Sequence, residues 1–157
     1  MHHVAGALLL VQFALMWILD RPAAPRVLDY VAVATWLVGI VLIALPIPTL
    51  RRRGQAQRGE SFVSTEVLVD SGIYALVRHP LYLGWLLMYL VVWLFNPHWI
   101  VGGIGILGAA CVCGFTRQEE TLLIEKFGES YRRYMQRVPG LNLPAGIIRL
   151  LKGRERR

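Results

Sequence analysis

The chain has 157 residues, 55% of them hydrophobic, with a mean hydropathy of +0.49. It carries 17 Lys and Arg against 10 Asp and Glu, a formal charge of +7. One domain is the expectation at this length. Apolar runs this long do not belong to an ordinary soluble domain, and no aromatic-studded basic module is present, so nucleic acid is excluded as a partner.

Apolar segments run Val4–Leu19, Val27–Leu50, Leu81–Phe95 and His98–Phe115. A spanning helix needs about 20 mainly apolar residues. The sequence therefore predicts an all-α integral membrane protein with four transmembrane helices, over about 4–19, 27–50, 80–96 and 98–116. The leading end of the first segment carries no Lys or Arg, and Ala23-Ala24 lies between Pro22 and Pro25. It is expected to stay in place rather than be cleaved as a signal peptide. The second segment should kink or stop at Pro46-Ile47-Pro48. Beyond it, Arg51, Arg52, Arg53, Arg58 and Arg78 sit in one long connection, and ten more Lys and Arg follow from Arg117 onward. Only Arg21 and Arg26 lie in the first connection. The bias puts the long connection, the tail and both termini in the cytosol, against anionic lipid headgroups. Residues 63–72 read as extended, ending in a turn at Asp70–Gly72. Pro80 suits the first position of a helix, with His79 near its cap. Asn96-Pro97 makes a tight hairpin. Past the fourth segment, 118–127 continues as a helix to Gly128. Tyr131, Tyr134 and Met135 share one side of 129–137, and 146–157 is basic, amphipathic and expected on the membrane surface.

Three constellations bear on chemistry. Tyr74, Arg78, His79, Pro80, Tyr82 and Gly84 gather where the basic connection enters an apolar helix. Charged and titratable groups there are costly unless they bind something, and a helix N-terminus suits an anion such as the carboxylate of an amino-acid-like cofactor. Glu119-Glu120 follows the fourth segment. Because the third and fourth segments form a hairpin, the start of one and the end of the other lie on the same side, which brings Arg78–Tyr82 towards Glu119. A carboxylate there could accept hydrogen bonds from ribose hydroxyls or an ammonium. Gly103, Gly105 and Gly108 match a dinucleotide fingerprint, but inside an apolar helix they read as a packing face with Gly102, Ala109, Ala110 and Gly114. Asp29 is expected to pair with Arg26. Cys111 and Cys113 point about 200° apart on a helix and cannot pair. No metal site is expected.

The run Gly72-x-Tyr74-x-x-x-Arg78-His79-Pro80-x-Tyr82-x-Gly84, with Glu119-Glu120, Phe127-Gly128-Glu129, Tyr131, Tyr134 and Val138-Pro139, resembles the isoprenylcysteine carboxyl methyltransferase family and its phospholipid methyltransferase relatives. The resemblance covers about half the chain. It implies an integral membrane enzyme using S-adenosylmethionine. It also implies that Glu66, Val67, Leu68, Val69, Tyr74, Arg78, His79, Pro80, Leu81, Tyr82 and Glu119 hold that cofactor. Eukaryotic members carry a His where this chain has Glu66, and a substrate-linked Arg at what aligns with Phe115; the nearest Arg here is Arg117. The expected function is methyl transfer to a lipophilic small molecule or lipid-modified substrate at the cytosolic membrane face. Carboxyl O-methylation of an isoprenylcysteine-like acceptor leads, with Arg117 placing the carboxylate. Phospholipid or amine N-methylation, with Glu119, Glu120 or a tyrosine as the base, is the alternative. A sterol-type reductase and a non-enzymatic scaffold are the further ones.

Overall fold

The computed structural model describes residues 2–53 and 67–154, and every regular element among them is helical. The helices are α1 (His2–Ile18), α2 (Val27–Ala44), α3 (Pro46–Arg53), α4 (Pro80–Phe95), α5 (Trp99–Phe127), α6 (Glu129–Arg137) and α7 (Leu143–Arg154), with a 3-10 turn at Gly72–Ala75. The expected break at Pro46 falls at Leu45, after which α3 runs to Arg53. The fourth apolar segment and the helix after it are one continuous element, α5, because nothing in Phe115–Glu120 breaks a helix. Gly128, at φ +55°, ends it and leads into α6. Of the extended stretch expected at 63–72, residues 63–66 lie outside the described residues, and Val67–Ser71 has no regular structure.

Val27–Arg53 and Trp99–Phe127 are long and apolar enough to cross a membrane; His3–Ile18 and Pro80–Phe95 are shorter apolar helices. Only 22% and 28% of the two longer stretches is buried inside the protein, unlike the core helix of a soluble domain. Tyr30, Trp36, Leu37 and Val41 on α2, and Trp99, Ile106 and Leu107 on α5, face outward.

The chain divides into two compact units. One comprises residues 1–41 and 82–118, the other 42–81 and 119–157. In the first, Ala5, Tyr89 and Val112 form a core with Leu8, Leu9, Trp85 and Phe115 around it. Polar side chains tie its helices at backbone carbonyls. The Tyr89 hydroxyl donates to Ala5 O (2.5 Å), and Gln12, fully buried, donates to Tyr89 O (3.1 Å) and Val101 O (3.0 Å). Asn96 donates to Met16 O and Leu19 O (2.9 Å each), satisfying carbonyls that the end of α1 leaves open. The glycines of α5 do part of the packing expected of them. A methyl group at Gly105 would meet Gln12, and one at Gly108 would strike the Tyr89 ring, whereas Gly103 and Gly114 face open space. Asp29 pairs with Arg21 (2.7 Å) rather than with Arg26.

In the second unit, Tyr131, Tyr134 and Val138 form the core, with Leu68, Leu123, Ile124, Phe127 and Met135 packed on it. The predicted apolar side of α6 is thus the buried one, as its i, i+3, i+4 spacing requires.

Candidate active site

The site residues of the second unit are held by backbone contacts that local sequence does not announce. The Arg78 and His79 amides donate to Pro139 O (3.0 Å) and Gly140 O (3.1 Å). Val138-Pro139-Gly140, which on sequence is only a helix breaker, therefore acts as a clamp on the Arg78-His79 pair. Two further ties fix the preceding turn: the Tyr134 hydroxyl donates to Tyr74 O (2.7 Å), and the Arg149 guanidinium donates to Ala75 O. Gly146 lies so close to Leu76 O that any side chain there would collide with it. With their amides engaged and Pro80 lacking one, residues 78–80 offer no backbone N–H to an anion. The anion reading of this helix start passes to the side chains.

Those side chains converge. His79 is almost fully buried; its Nε2 lies 3.0 Å from Glu120 Oε1 and its Nδ1 3.2 Å from Glu119 Oε2. Glu120 Oε1 also pairs with Arg78 Nη2 at 3.0 Å, so one carboxylate oxygen serves two cations or donors. An imidazolium can donate to both carboxylates, a neutral ring to only one. Glu119 and Glu120 are adjacent in sequence yet flank one ring, because it sits at the side of α5 between two successive positions. Arg78 is 12% exposed, and its Nε and Nη1 are buried without a hydrogen-bond partner. The buried Tyr131 hydroxyl lies beside the Arg78 guanidinium. Gly140 borders Arg78: a methyl group there would come within 3.2 Å of Nη2.

The surrounding phenols stay protonated. Burial raises the Tyr74 pKa well above its usual value, and Glu119 adds to the effect. Burial also raises Tyr131, with Arg78 opposing and both glutamates reinforcing the shift, and it raises Tyr134, with Tyr131 and Tyr74 adding to it.

The other residues expected at the site differ in burial. Leu68 packs into the Tyr131–Tyr134 core, Val69 is buried, and Val67 is exposed. Pro80 is fully buried at the start of α4, and Leu81 is half-buried. Tyr82 and Arg117 belong to the first unit, Tyr82 against the Ala5–Tyr89–Val112 core and Arg117 exposed on α5. Glu66 lies outside the described residues. Sequence reasoning missed Gly140 and Arg149; a glycine after proline was its only local signal for the former, and there was none for the latter. His98, expected only to border the membrane, accepts from the Ile100 amide (3.2 Å) and so caps α5. Among the described residues, no cluster of His, Cys, Asp and Glu is arranged to hold a metal ion.

Arg, His and paired Glu thus converge at a helix start in an apolar helical chain. The phospholipid methyltransferase family profile matches residues 28–130, and the chain belongs to that family. It is 35% identical over 130 residues to the protein-S-isoprenylcysteine O-methyltransferases of Mus musculus and Homo sapiens, covering 72% of this chain and 44% of each relative. It is 36% identical over 75 residues to the methanethiol S-methyltransferase of Pseudomonas deceptionensis, covering 46% of this chain and 27% of that protein. The chain thus spans less than half the length of these curated relatives. No solved structure matches it.

Proposed function

We propose that this chain is an S-adenosylmethionine-dependent integral membrane methyltransferase acting on a lipophilic acceptor. In this reading its four apolar helices cross the bilayer, and both termini and the connection from Arg51 to Arg78 lie on the cytosolic side. The observation that carries the proposal is the Arg78–His79–Glu119–Glu120 cluster, in a chain whose family and named relatives are methyltransferases.

The residues present fit the cofactor. The Nε and Nη1 of Arg78, buried without a hydrogen-bond partner, point to different sides of the guanidinium and each offers a separate donor to an anionic or polar group. Glu119 and Glu120 offer acceptors to an ammonium or to ribose hydroxyls, and His79 holds the two carboxylates apart. When bound, the sulfonium supplies an electrophilic methyl group and a neutral thioether leaving group. The protein's own task is then to position the reactants and exclude water. The protonated phenols of Tyr74 and Tyr131, the first half-buried and the second buried, lie within electrostatic reach of the cluster without adding charge.

An isoprenylcysteine-like carboxylate is the favoured acceptor class, because matches over 130 residues are to proteins named for that substrate. A carboxylate needs no general base, only a cation to place it. The family profile supports a second reading, transfer to a phospholipid amine, which would need a base to deprotonate the nitrogen.

Binding of S-adenosylhomocysteine to the detergent-solubilised chain tests the proposal. Saturable binding that is lost in His79→Ala and Glu119→Ala is the expected result. Preference for a nicotinamide dinucleotide would point to a reductase, and binding of neither to a scaffold. Incubation with methyl-labelled cofactor and parallel acceptors (an isoprenylcysteine analogue, a phospholipid amine and a small thiol) then assigns the substrate class.

A further inference from the structure

Helix α7 turns the usual amphipathic arrangement inside out. At 100° per residue, Ile147, Ile148, Leu150 and Leu151 occupy one arc of about 160°, and all four are 40–57% exposed. The opposite side carries Gly146 and Arg149, and these make the protein contacts: Gly146 against Leu76 O and Arg149 to Ala75 O. A surface helix in water buries its apolar side and exposes its polar one. Here the small and cationic side faces the protein, and four large aliphatic residues on consecutive turns face away.

Charge narrows what covers that face. From Gly146 to Arg157 the sequence carries Arg149, Lys152, Arg154, Arg156 and Arg157 against the single acid Glu155. Aliphatic residues in a segment of this charge match a layer of acyl chains beneath anionic headgroups. A second copy of this chain would bring the same positive charge to the contact and be repelled. Helix α7 also lies beyond residues 28–130, which match the family.

We propose that α7 docks by its Ile147–Leu151 face onto a bilayer surface rich in anionic phospholipid. The Ala75–Leu76 turn is held on its far side. That turn leads into Arg78, which therefore sits about one helix diameter, ~10 Å, from the lipid contact. The inference rests on the reading of the chain as a membrane protein, and the test separates the two.

The test uses the full chain with Cys111→Ala and Cys113→Ala, reconstituted in nanodiscs and labelled with bimane at Leu151→Cys or, separately, at Leu37→Cys on the exposed side of α2. Acyl-brominated lipid should quench the Leu37→Cys label in any bilayer. It should quench the Leu151→Cys label at least two-fold when the lipid is phosphatidylglycerol-rich, and less when it is phosphatidylcholine alone. Quenching at 37 but not at 151, with the 151 label open to aqueous iodide, would overturn the docking proposal alone. A 151 label shielded from both quenchers would mean that protein covers the face, and would also overturn it. Equal quenching at 151 in both lipids would refute the requirement for anionic headgroups. Absence of quenching at both positions would overturn the membrane reading together with the inference.

Discussion

Glu120→Gln tests the centre of the site. The substitution keeps size and shape but removes the charge that Arg78 Nη2 and His79 Nε2 share at 3.0 Å each. At that separation a unit charge pair is worth about 5–6 kcal/mol at an effective dielectric of ~20, before desolvation is counted. Removing one partner of a buried pair costs about 3–5 kcal/mol. Arg78 and Glu120 retain 12% and 20% exposure, so water offsets part of that and the expected loss is about 2–3 kcal/mol. For a chain of this size, each kcal/mol lowers Tm by about 2–4 °C, so the variant should melt roughly 5–10 °C below the parent. Arg78→Met combined with Glu120→Leu removes both charges and leaves none bare, so it should melt closer to the parent than Glu120→Gln does, while binding no S-adenosylhomocysteine. Thermal denaturation in one detergent, followed by tryptophan fluorescence, reads all three proteins. A Glu120→Gln shift below about 2 °C, or a double variant that melts no closer to the parent than Glu120→Gln does, would refute the claim that this pair is buried and coupled.

Four other perturbations have defined outcomes. Gly146→Ala should cost about 1–3 kcal/mol by driving a methyl group into the Leu76 carbonyl, whereas Gly103→Ala, inside α5 and meeting nothing, should stabilise by about 0.5–1 kcal/mol in urea titrations. His79→Gln can satisfy only part of the His79 contacts with Glu119 and Glu120, and calorimetry should show S-adenosylhomocysteine binding weakened at least about ten-fold, consistent with a loss of about 1.5–3 kcal/mol. Asn96→Ala uncaps α1 and should lower stability by about 1–2 kcal/mol. The phenols give a pH signature: Tyr74, Tyr131 and Tyr134 ionise later in the fold than their ordinary value of 10.0. Since the unfolded chain gives up these protons first, their stabilisation is complete below pH 10 and falls as pH rises beyond it. Ultraviolet absorbance of tyrosinate should therefore lag at Tyr74, Tyr131 and Tyr134 until the protein unfolds.

The apolar helices were legible because hydrophobicity and helix breakers are properties of short windows: the break after Ala44, the stop at Gly128 and the buried side of α6 all follow from local spacing. So was the meeting of His79 with Glu119, because a hairpin of two apolar helices returns the chain to where it started. What the sequence could not yield depends on contacts between residues far apart in the chain. Nothing local to Pro139-Gly140 says that their carbonyls receive the amides of Arg78 and His79, or that Asp29 pairs with Arg21 across a loop instead of with Arg26 three residues away. Nor does the spacing of α7 say which side meets the protein: periodicity gives an apolar arc, and only the closeness of Gly146 to Leu76 shows that this arc points outward. Composition and period thus determined the elements and the residue types of the site. The long-range backbone contacts decided that the amides of Arg78 and His79 are used up, so that only their side chains remain as donors there.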